Sequence, residues 1–182
     1  MVQQNPEARD IQLVRRACDG DSRAFHDLLD RHAQRLYRLA VSLVDNTADA
    51  EDVVQETFIG AYRGLRSFEG RASVKTWLTR ILFTQAALMR RNRRRRSDLS
   101  IDDSALDEPT LAAPVNPDAG IDVQAALRRL SPEYREILML REFERMSYEE
   151  IAEVLDVPRG TVESRLHRAR GELREKLKSY LP

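Results

Sequence analysis

The chain has 182 residues, with 30 lysines and arginines balancing 30 aspartates and glutamates, and it contains one cysteine and three histidines. This length predicts one ordinary domain or two small ones, and the single cysteine, Cys18, excludes a disulfide framework and a cysteine-based zinc cluster. No uncharged stretch approaches the roughly 20 residues that cross a bilayer, and the N-terminus lacks the apolar core of a signal peptide. We therefore expect a cytoplasmic protein without membrane insertion.

Recognisable catalytic signatures are missing from the sequence. The three histidines have no metal-ligand spacing, and there is neither a glycine-rich phosphate loop nor a nucleophile elbow. We therefore expect no catalytic site, no metal and no cofactor.

Charge is strongly segregated along the chain. Residues 45–62 carry five acidic side chains and no basic one, residues 71–96 carry nine basic and no acidic side chain, and residues 97–127 carry seven acidic and no basic side chain. Residues 97–120 also hold three of the seven prolines and show no sustained periodicity, so they predict an acidic, flexible linker. The linker separates an N-terminal block, 1–96, from a C-terminal block, 121–182.

The N-terminal block predicts four or five helices and no strand. Its apolar residues recur at helical spacing, with breaks at 20–22, 45–47 and 67–73. Asp21 and Asn46 stand where helix N-caps are expected.

The helix that begins near Asn46 has two distinct faces. One face predicts a core of Ala50, Val53, Val54, Phe58 and Ala61. The other face carries Asp52, Gln55, Glu56, Ile59 and Arg63. An acidic stripe around an exposed isoleucine repels DNA and suits a basic protein partner, although a merely solvated face is the alternative.

The following helix changes character along its length. Its last part, 90–96, has six arginines in seven residues, which favours salt-sensitive binding to phosphates. Near its start, Phe68 and Trp77 either stack on an unpaired base or belong to the core.

The C-terminal block predicts a helix-turn-helix. One helix begins near Ile121, and a second begins with Ser131 as cap and Pro132 in the first turn. Ser147 and Glu150 have the spacing of a capping box, and the break 156–158 precedes a final helix.

The final helix has a core side and a polar side. Val162, Leu166, Ala169 and Leu173 share the apolar side, and the opposite side carries Ser164, His167, Arg168 and Gly171 with Glu163, Arg165 and Arg170 beside them. Small, polar and basic side chains at the start of such a helix suit the major groove of DNA, and a solvated face is again the alternative.

Two long segments resemble a known family. DAEDVVQETFIGAYRGL followed by SFEGRASVKTWLTRIL resembles region 2 of the extracytoplasmic-function (ECF, group IV) sigma factors, which belong to the sigma-70 family. LSPEYREILMLREFERMSYEEIAEVLDVPRGTVESRLHRARGELREKL resembles region 4. The resemblance implies an all-α chain of two small helical domains: region 2 in 1–96, an acidic linker in 97–120 and region 4 in 121–182.

The resemblance also implies a function and its residues. A sigma factor of this kind binds bacterial RNA polymerase core through the β′ clamp helices and the β flap, recognises the −35 and −10 promoter elements and helps to melt the latter. The implied polymerase contacts are Asp52, Gln55, Glu56 and Ile59. The implied −10 contacts are Gly64, Phe68, Lys75, Trp77, Arg80, Thr84, Arg90 and Arg91, with Gly64, Phe68 and Thr84 at the pocket for a flipped base. The implied −35 contacts are Arg159, Thr161, Glu163, Ser164, Arg165, His167, Arg168 and Arg170.

Further partners are implied as well. The acidic linker resembles the family's connector through the RNA exit path, and an anti-sigma protein is a common partner in the family.

Two other functions remain open from the residues alone. A stand-alone helix-turn-helix regulator would act as a dimer on a palindromic operator, without polymerase. A nucleic-acid-modifying enzyme would need a catalytic constellation, which the sequence does not show.

Overall fold

The computed structural model describes residues 5–44, 46–99 and 123–178, and every regular element in these ranges is helical. The all-α prediction is confirmed. No helix in the described ranges combines the length and the apolar character needed to cross a membrane. Most of the predicted linker, residues 100–120, lies outside the described residues.

The first compact unit contains four helices and one short 3₁₀ turn. They are α1 (Pro6–Cys18), α2 (Ser22–Leu43), α3 (Thr47–Gly64), the 3₁₀ turn (Leu65–Ser67) and α4 (Val74–Leu99). The Asp21 side chain accepts a hydrogen bond from the backbone N–H of Ala24 at 3.1 Å, which confirms the predicted cap of α2. Helix α4 includes the first three residues of the predicted linker, 97–99.

The core of the first unit differs from the sequence expectation along α3. Val54 and Phe58 are only half-buried, whereas Thr57 is fully buried. The Thr57 hydroxyl donates to the carbonyl of Val53 at 2.7 Å, so this polar side chain is satisfied inside its own helix. At Gly60, a Cβ atom would lie 3.0 Å from Cγ2 of Ile81, so glycine permits a close approach of α3 and α4.

Helix α1 is attached to the unit by a buried polar cluster. The carboxylate of Asp10 lies 2.7 Å from Nε of Arg31 and 2.8 Å from Nε2 of His32. Burial lowers the pKa of His32 despite the opposing effect of Asp10, and Arg35 and Arg31 lower it further. At the other end of α1, Sγ of Cys18 lies 3.5 Å from the carbonyl oxygen of Leu65. Helix α1 therefore packs against the segment that leads into the 67–73 loop.

The second unit contains α5 (Val123–Arg128), α6 (Pro132–Leu138), a π-helical turn (Met139–Phe143), α7 (Tyr148–Leu155) and α8 (Arg159–Leu177). Ser131 is the N-cap of α6 and Pro132 stands in its first turn, as predicted, although the Ser131 side chain makes no capping hydrogen bond. The capping box of α7 is confirmed: Ser147 Oγ accepts from Glu150 N at 3.1 Å, and Glu150 Oε2 accepts from Ser147 N at 2.8 Å.

The turn between α7 and α8 is short because Asp156 adopts a left-handed conformation, with φ 52°. Pro158 then precedes α8, so the two helices form the predicted helix-turn-helix.

Candidate nucleic-acid interface

The acidic stripe of α3 lies on the solvent-facing side of that helix. Asp52, Gln55 and Glu56 are exposed, and in the described part of the chain none of them makes an ion pair or a hydrogen bond. Ile59 is half-buried, which corrects the expectation of a fully exposed isoleucine. The stripe therefore presents uncompensated negative charge beside a partly shielded apolar side chain.

Three of the predicted −10 residues meet at the end of α3 and the start of α4. The rings of Phe68 and Trp77 are 4.9 Å apart between centroids, tilted by 42°. A Cβ atom at Gly64 would lie 3.6 Å from Cζ2 of Trp77. Both rings are half-buried, so each packs against the unit and keeps part of its surface accessible.

Local hydrogen bonds shape the segment that carries Phe68. The Ser67 hydroxyl donates to the carbonyl of Gly64 at 2.8 Å, and the N–H of Phe68 donates to the carbonyl of Leu65 at 3.3 Å. Gly70 has φ 71°, a left-handed conformation that glycine adopts without strain. Ser73 caps α4 by accepting from the N–H of Thr76 at 3.0 Å.

Thr84 lies on the same side of α4 as Trp77, because seven residues correspond to nearly two full helical turns. Thr84 is exposed, and its hydroxyl donates to the carbonyl of Arg80 at 3.0 Å, which leaves its oxygen available as an acceptor. Arg80 is exposed on a neighbouring position of this side. By the same helical spacing, Lys75 and Arg90 lie on the other side of α4, so the structure does not bring them to the aromatic pair.

The arginine-rich end of α4 has two sides with different roles. Arg93 forms an ion pair with Asp49 of α3, and Arg90 and Arg96 also have interaction partners. Arg91, Arg94 and Arg95 are exposed and have no partner among the described residues. The side of α4 that carries Arg91, Arg94 and Arg95 is therefore the one available to bind phosphates.

Sequence reasoning missed one exposed apolar residue on this surface. The Leu88 side chain is 46% exposed, although it stands between two exposed polar positions of α4, Thr84 and Arg91. A helical wheel of α4 drawn from the sequence could have found it, because Leu88 falls on the polar side of the helix.

The predicted −35 surface on α8 is exposed as expected. Ser164, His167 and Arg168 point away from the core, whereas Val162, Leu166 and Ala169 are buried. His167 and Arg168 have no hydrogen-bond or ion-pair partner in the described ranges. Thr161 is half-buried, and its carbonyl accepts a hydrogen bond from the Ser164 hydroxyl at 3.1 Å.

Three other cations of the predicted −35 set are paired within the second unit. Arg159 Nε lies 3.2 Å from Glu149 and 3.3 Å from Glu163. Arg165 lies 3.5 Å from Glu133, and Arg170 donates to Glu142 at 2.7 and 3.1 Å. The hydrogen bonds that Arg170 donates to Glu142 raise the pKa of Arg170, which therefore stays charged.

Comparison with known proteins agrees with this architecture. The sigma-70 region 2 family matches residues 28–97, and the sigma-70 region 4 family matches residues 121–173. The RNA polymerase sigma-H factor of Pseudomonas aeruginosa is 37% identical, over 96% of this chain and 97% of that protein. This chain belongs to the ECF sigma factors of the sigma-70 family.

Other relatives place this ECF sigma factor in the same group. The ECF RNA polymerase sigma-E factor of Haemophilus influenzae is 35% identical, over 94% of this chain and 97% of the relative. The solved structure of the Bartonella quintana sigma factor RpoE, in complex with the anti-sigma factor NepR, has a TM-score of 0.74 at 31% identity and covers 85% of this chain and 96% of RpoE. The chain is an alternative sigma factor that acts in transcription initiation.

Proposed function

We propose that this ECF sigma factor binds core polymerase through the acidic stripe of α3 and places its two helical units on the −10 and −35 promoter elements. One observation carries the proposal: the first unit combines an unpartnered acidic face on α3 with an aromatic and cationic face on α4. The acidic face repels DNA and attracts a basic protein, whereas the aromatic and cationic face attracts DNA. The three-part division into 1–96, 97–120 and 121–182 belongs to the same proposal.

At the −10 element, Gly64, Phe68 and Thr84 receive a base that has left the stack. The accessible part of the Phe68 and Trp77 rings offers a stacking surface, and the Thr84 oxygen offers a hydrogen-bond acceptor for the edge of the base. Arg80 and Arg91, both exposed, bind nearby phosphates.

At the −35 element, α8 enters the major groove with Ser164, His167 and Arg168 toward the bases. Arg168 is the strongest candidate for a base contact, since it is exposed and has no partner among the described residues. Arg159, Arg165 and Arg170 contact phosphates after exchanging or sharing their glutamate partners.

The linker, the second unit and the absence of a catalytic role complete the proposed interaction with polymerase. The acidic linker runs along the RNA exit path, the second unit binds the β flap, and catalysis stays with core polymerase, so this chain is not itself an enzyme. Its site of action is the bacterial cytoplasm, where polymerase meets the chromosome. The Bartonella quintana relative was solved with an anti-sigma factor, and we propose a partner of that kind here.

The decisive experiment reverses the charge of the stripe. Asp52→Lys and Glu56→Lys should each abolish retention of the chain by core polymerase and abolish promoter-dependent transcription, because a basic partner now meets a like charge. Thermal unfolding should not change, since both side chains are exposed and have no partner within the described residues.

Asp27→Lys is the matched control. Asp27 is exposed on α2, outside the stripe, and the charge change is the same. Full retention of both stripe variants would remove α3 from the polymerase interface. Promoter binding of equal strength without polymerase would favour the stand-alone regulator instead.

A further inference from the structure

Arg159, the first residue of α8, lies between two carboxylates from different helices. Its Nε atom lies 3.2 Å from Oε1 of Glu149 in α7 and 3.3 Å from Oε1 of Glu163, one turn further along α8. All three residues are exposed. An exposed ion pair contributes little to stability, so the fold alone gives small reason for this cluster. The arrangement of its atoms indicates a role in binding.

The two carboxylates occupy only one part of the Arg159 guanidinium. Both approach Nε, and neither terminal nitrogen, Nη1 or Nη2, makes a hydrogen bond within the described residues. Because the guanidinium is planar, contacts at Nε restrain the direction in which the two terminal nitrogens point. These nitrogens form a fork that matches two oxygens of one phosphate. Arg159 is therefore held at Nε and open to a ligand at its end.

The place of Arg159 in the helix-turn-helix indicates which ligand meets this fork. In such a motif the N-terminal residues of the second helix enter the major groove, while the first helix crosses the DNA backbone. Arg159 begins the second helix, and Glu149 reaches it from the first turn of α7. The fork therefore stands at the boundary between groove and backbone, where a phosphate is the nearest acceptor that suits it.

We propose that Glu149 is a positioning residue for −35 binding: it holds Nε of Arg159 so that Nη1 and Nη2 donate to one phosphate. The inference rests on the proposed −35 function of α8. It assigns a function to a carboxylate that, by its charge alone, repels DNA. Without Glu149, only Glu163 remains at Nε, and the guanidinium is no longer tied to α7.

Removal of Glu149 has two effects of opposite sign on DNA binding. Loss of a negative charge beside DNA strengthens binding at every sequence, whereas loss of positioning weakens it. We expect positioning to dominate, so Glu149→Gln should weaken promoter complexes about threefold, and Arg159→Ala should weaken them about tenfold. Arg159→Lys keeps the charge without the fork and should bind nearly as weakly as Arg159→Ala. Adding Glu149→Gln to Arg159→Ala should cause no further loss, because both changes remove the same contact.

Glu153→Gln is the matched control. Glu153 is exposed on α7, one turn beyond Glu149, and it has no ion pair among the described residues. The substitution removes the same charge from the same helix without touching Arg159. Its promoter complexes should be as stable as those of the parent or slightly more stable.

The measurement uses promoters in which one −35 phosphate at a time is replaced by an uncharged methylphosphonate, bound by the full chain with core polymerase. One replacement should weaken complexes of the parent and of Glu153→Gln severalfold. The same replacement should have no effect on Glu149→Gln or Arg159→Ala, which have already lost the contact. Each ratio compares two DNAs with one protein sample, so partial unfolding of a variant does not imitate this result.

Several outcomes would overturn the inference. Glu149→Gln complexes as stable as those of the parent, or still sensitive to that phosphate, would make Glu149 a surface charge only. Undiminished binding by Arg159→Ala would remove the proposed contact itself. A parent protein insensitive to every −35 phosphate and to every −35 base substitution would instead contradict the proposed −35 function of α8.

Discussion

Arg168 and Arg170 lie two residues apart on α8, yet their surroundings differ. Arg170 donates from Nε and Nη2 to one oxygen of Glu142, whereas Arg168 has no partner among the described residues. An arginine held by a carboxylate has to exchange or share that partner before it binds DNA, and a free arginine does not. The two should therefore contribute differently to promoter recognition.

We expect Arg168→Ala to weaken −35 binding by about 1 to 3 kcal/mol and to relax specificity at one base position. Arg170→Ala should weaken −35 binding by a smaller amount, and this loss should be the same for every DNA sequence. A scan of −35 substitutions in the presence of core polymerase separates the two patterns. A uniform loss for Arg168→Ala would show that it contacts only phosphate.

Phe68 is a second residue whose replacement should affect promoter recognition, because its ring contacts Trp77 and remains partly accessible. Phe68→Ala should reduce open complexes much more than closed complexes, because the stacking surface for the displaced base is smaller. Thr84→Asn should shift the preferred −10 base without a broad loss of activity, because Thr84 is exposed and changes only the edge contact.

Permanganate reactivity of −10 thymines on duplex and mismatched promoters provides the measurement for both variants. If Phe68→Ala melts duplex promoter as well as the parent, the ring has only a packing role in the loop.

Some individual residues were predictable from the sequence and others were not. The capping box of Ser147 and Glu150 depends only on the spacing of these two residues, so the sequence of residues 147–150 was sufficient to predict it. Thr57 stands four residues after Val53 and four before Ala61, on the buried face of α3, and it was missed because a pattern of apolar residues leaves out a polar side chain. The pairing of Arg170 with Glu142 joins residues 28 positions apart, and only the packing of the second unit determines it.

At the level of elements, the packing of helix α1 against the first unit depends on the buried cluster around Asp10. His32 is buried and faces Asp10, Arg31 and Arg35 from α1 and α2. Burial lowers the pKa of His32 below its ordinary value of 6.5, so the folded chain favours the neutral ring. Below pH 6.5 the unfolded chain takes up this proton more readily than the folded chain does, and stability falls as the pH decreases.

We therefore expect the first unit to have a lower urea midpoint at pH 5.5 than at pH 7.5. His32→Asn should reduce this pH dependence, because the group that titrates is gone. His26→Asn is the matched control, because it makes the same substitution at an exposed position of α2. Far-ultraviolet circular dichroism in urea measures the unfolding midpoint of the full-length parent and of both variants at the two pH values. An unchanged pH dependence in His32→Asn would assign the effect to other groups.

The elements themselves were largely predictable, and their surfaces less so. The helical periodicity of the N-terminal block and the turn signals of the C-terminal block were enough for the all-α architecture and the helix-turn-helix. The separation of α4 into a paired and a free side was not predictable. It depends on Asp49 of α3 reaching Arg93, which only the packing of the two helices determines.

At the level of the whole molecule, the sequence joins the two proposed DNA-binding units through a strongly acidic segment. Residues 97–127 carry seven acidic side chains and no basic one. We expect a negatively charged connector to be repelled by both promoter elements and attracted to basic channels of the polymerase. Its charge, rather than a fold of its own, should therefore determine its function.

We expect replacement of Asp102, Asp103, Asp107 and Glu108 by the corresponding amides to leave promoter binding nearly intact and to change initiation or promoter escape. Runoff transcript yield compared with open-complex yield measures the difference. An equal loss in both would mean that the acidic side chains act in assembly with polymerase.

Trp77 is the single tryptophan of the chain, and its ring touches Phe68 at the proposed base pocket. The indole is therefore a natural optical reporter at the position where promoter melting is proposed to begin. Biosynthetic incorporation of an analogue with red-shifted absorption would distinguish its emission from that of the polymerase tryptophans. Stopped-flow emission could then time the entry of a base into the pocket without any label on the DNA.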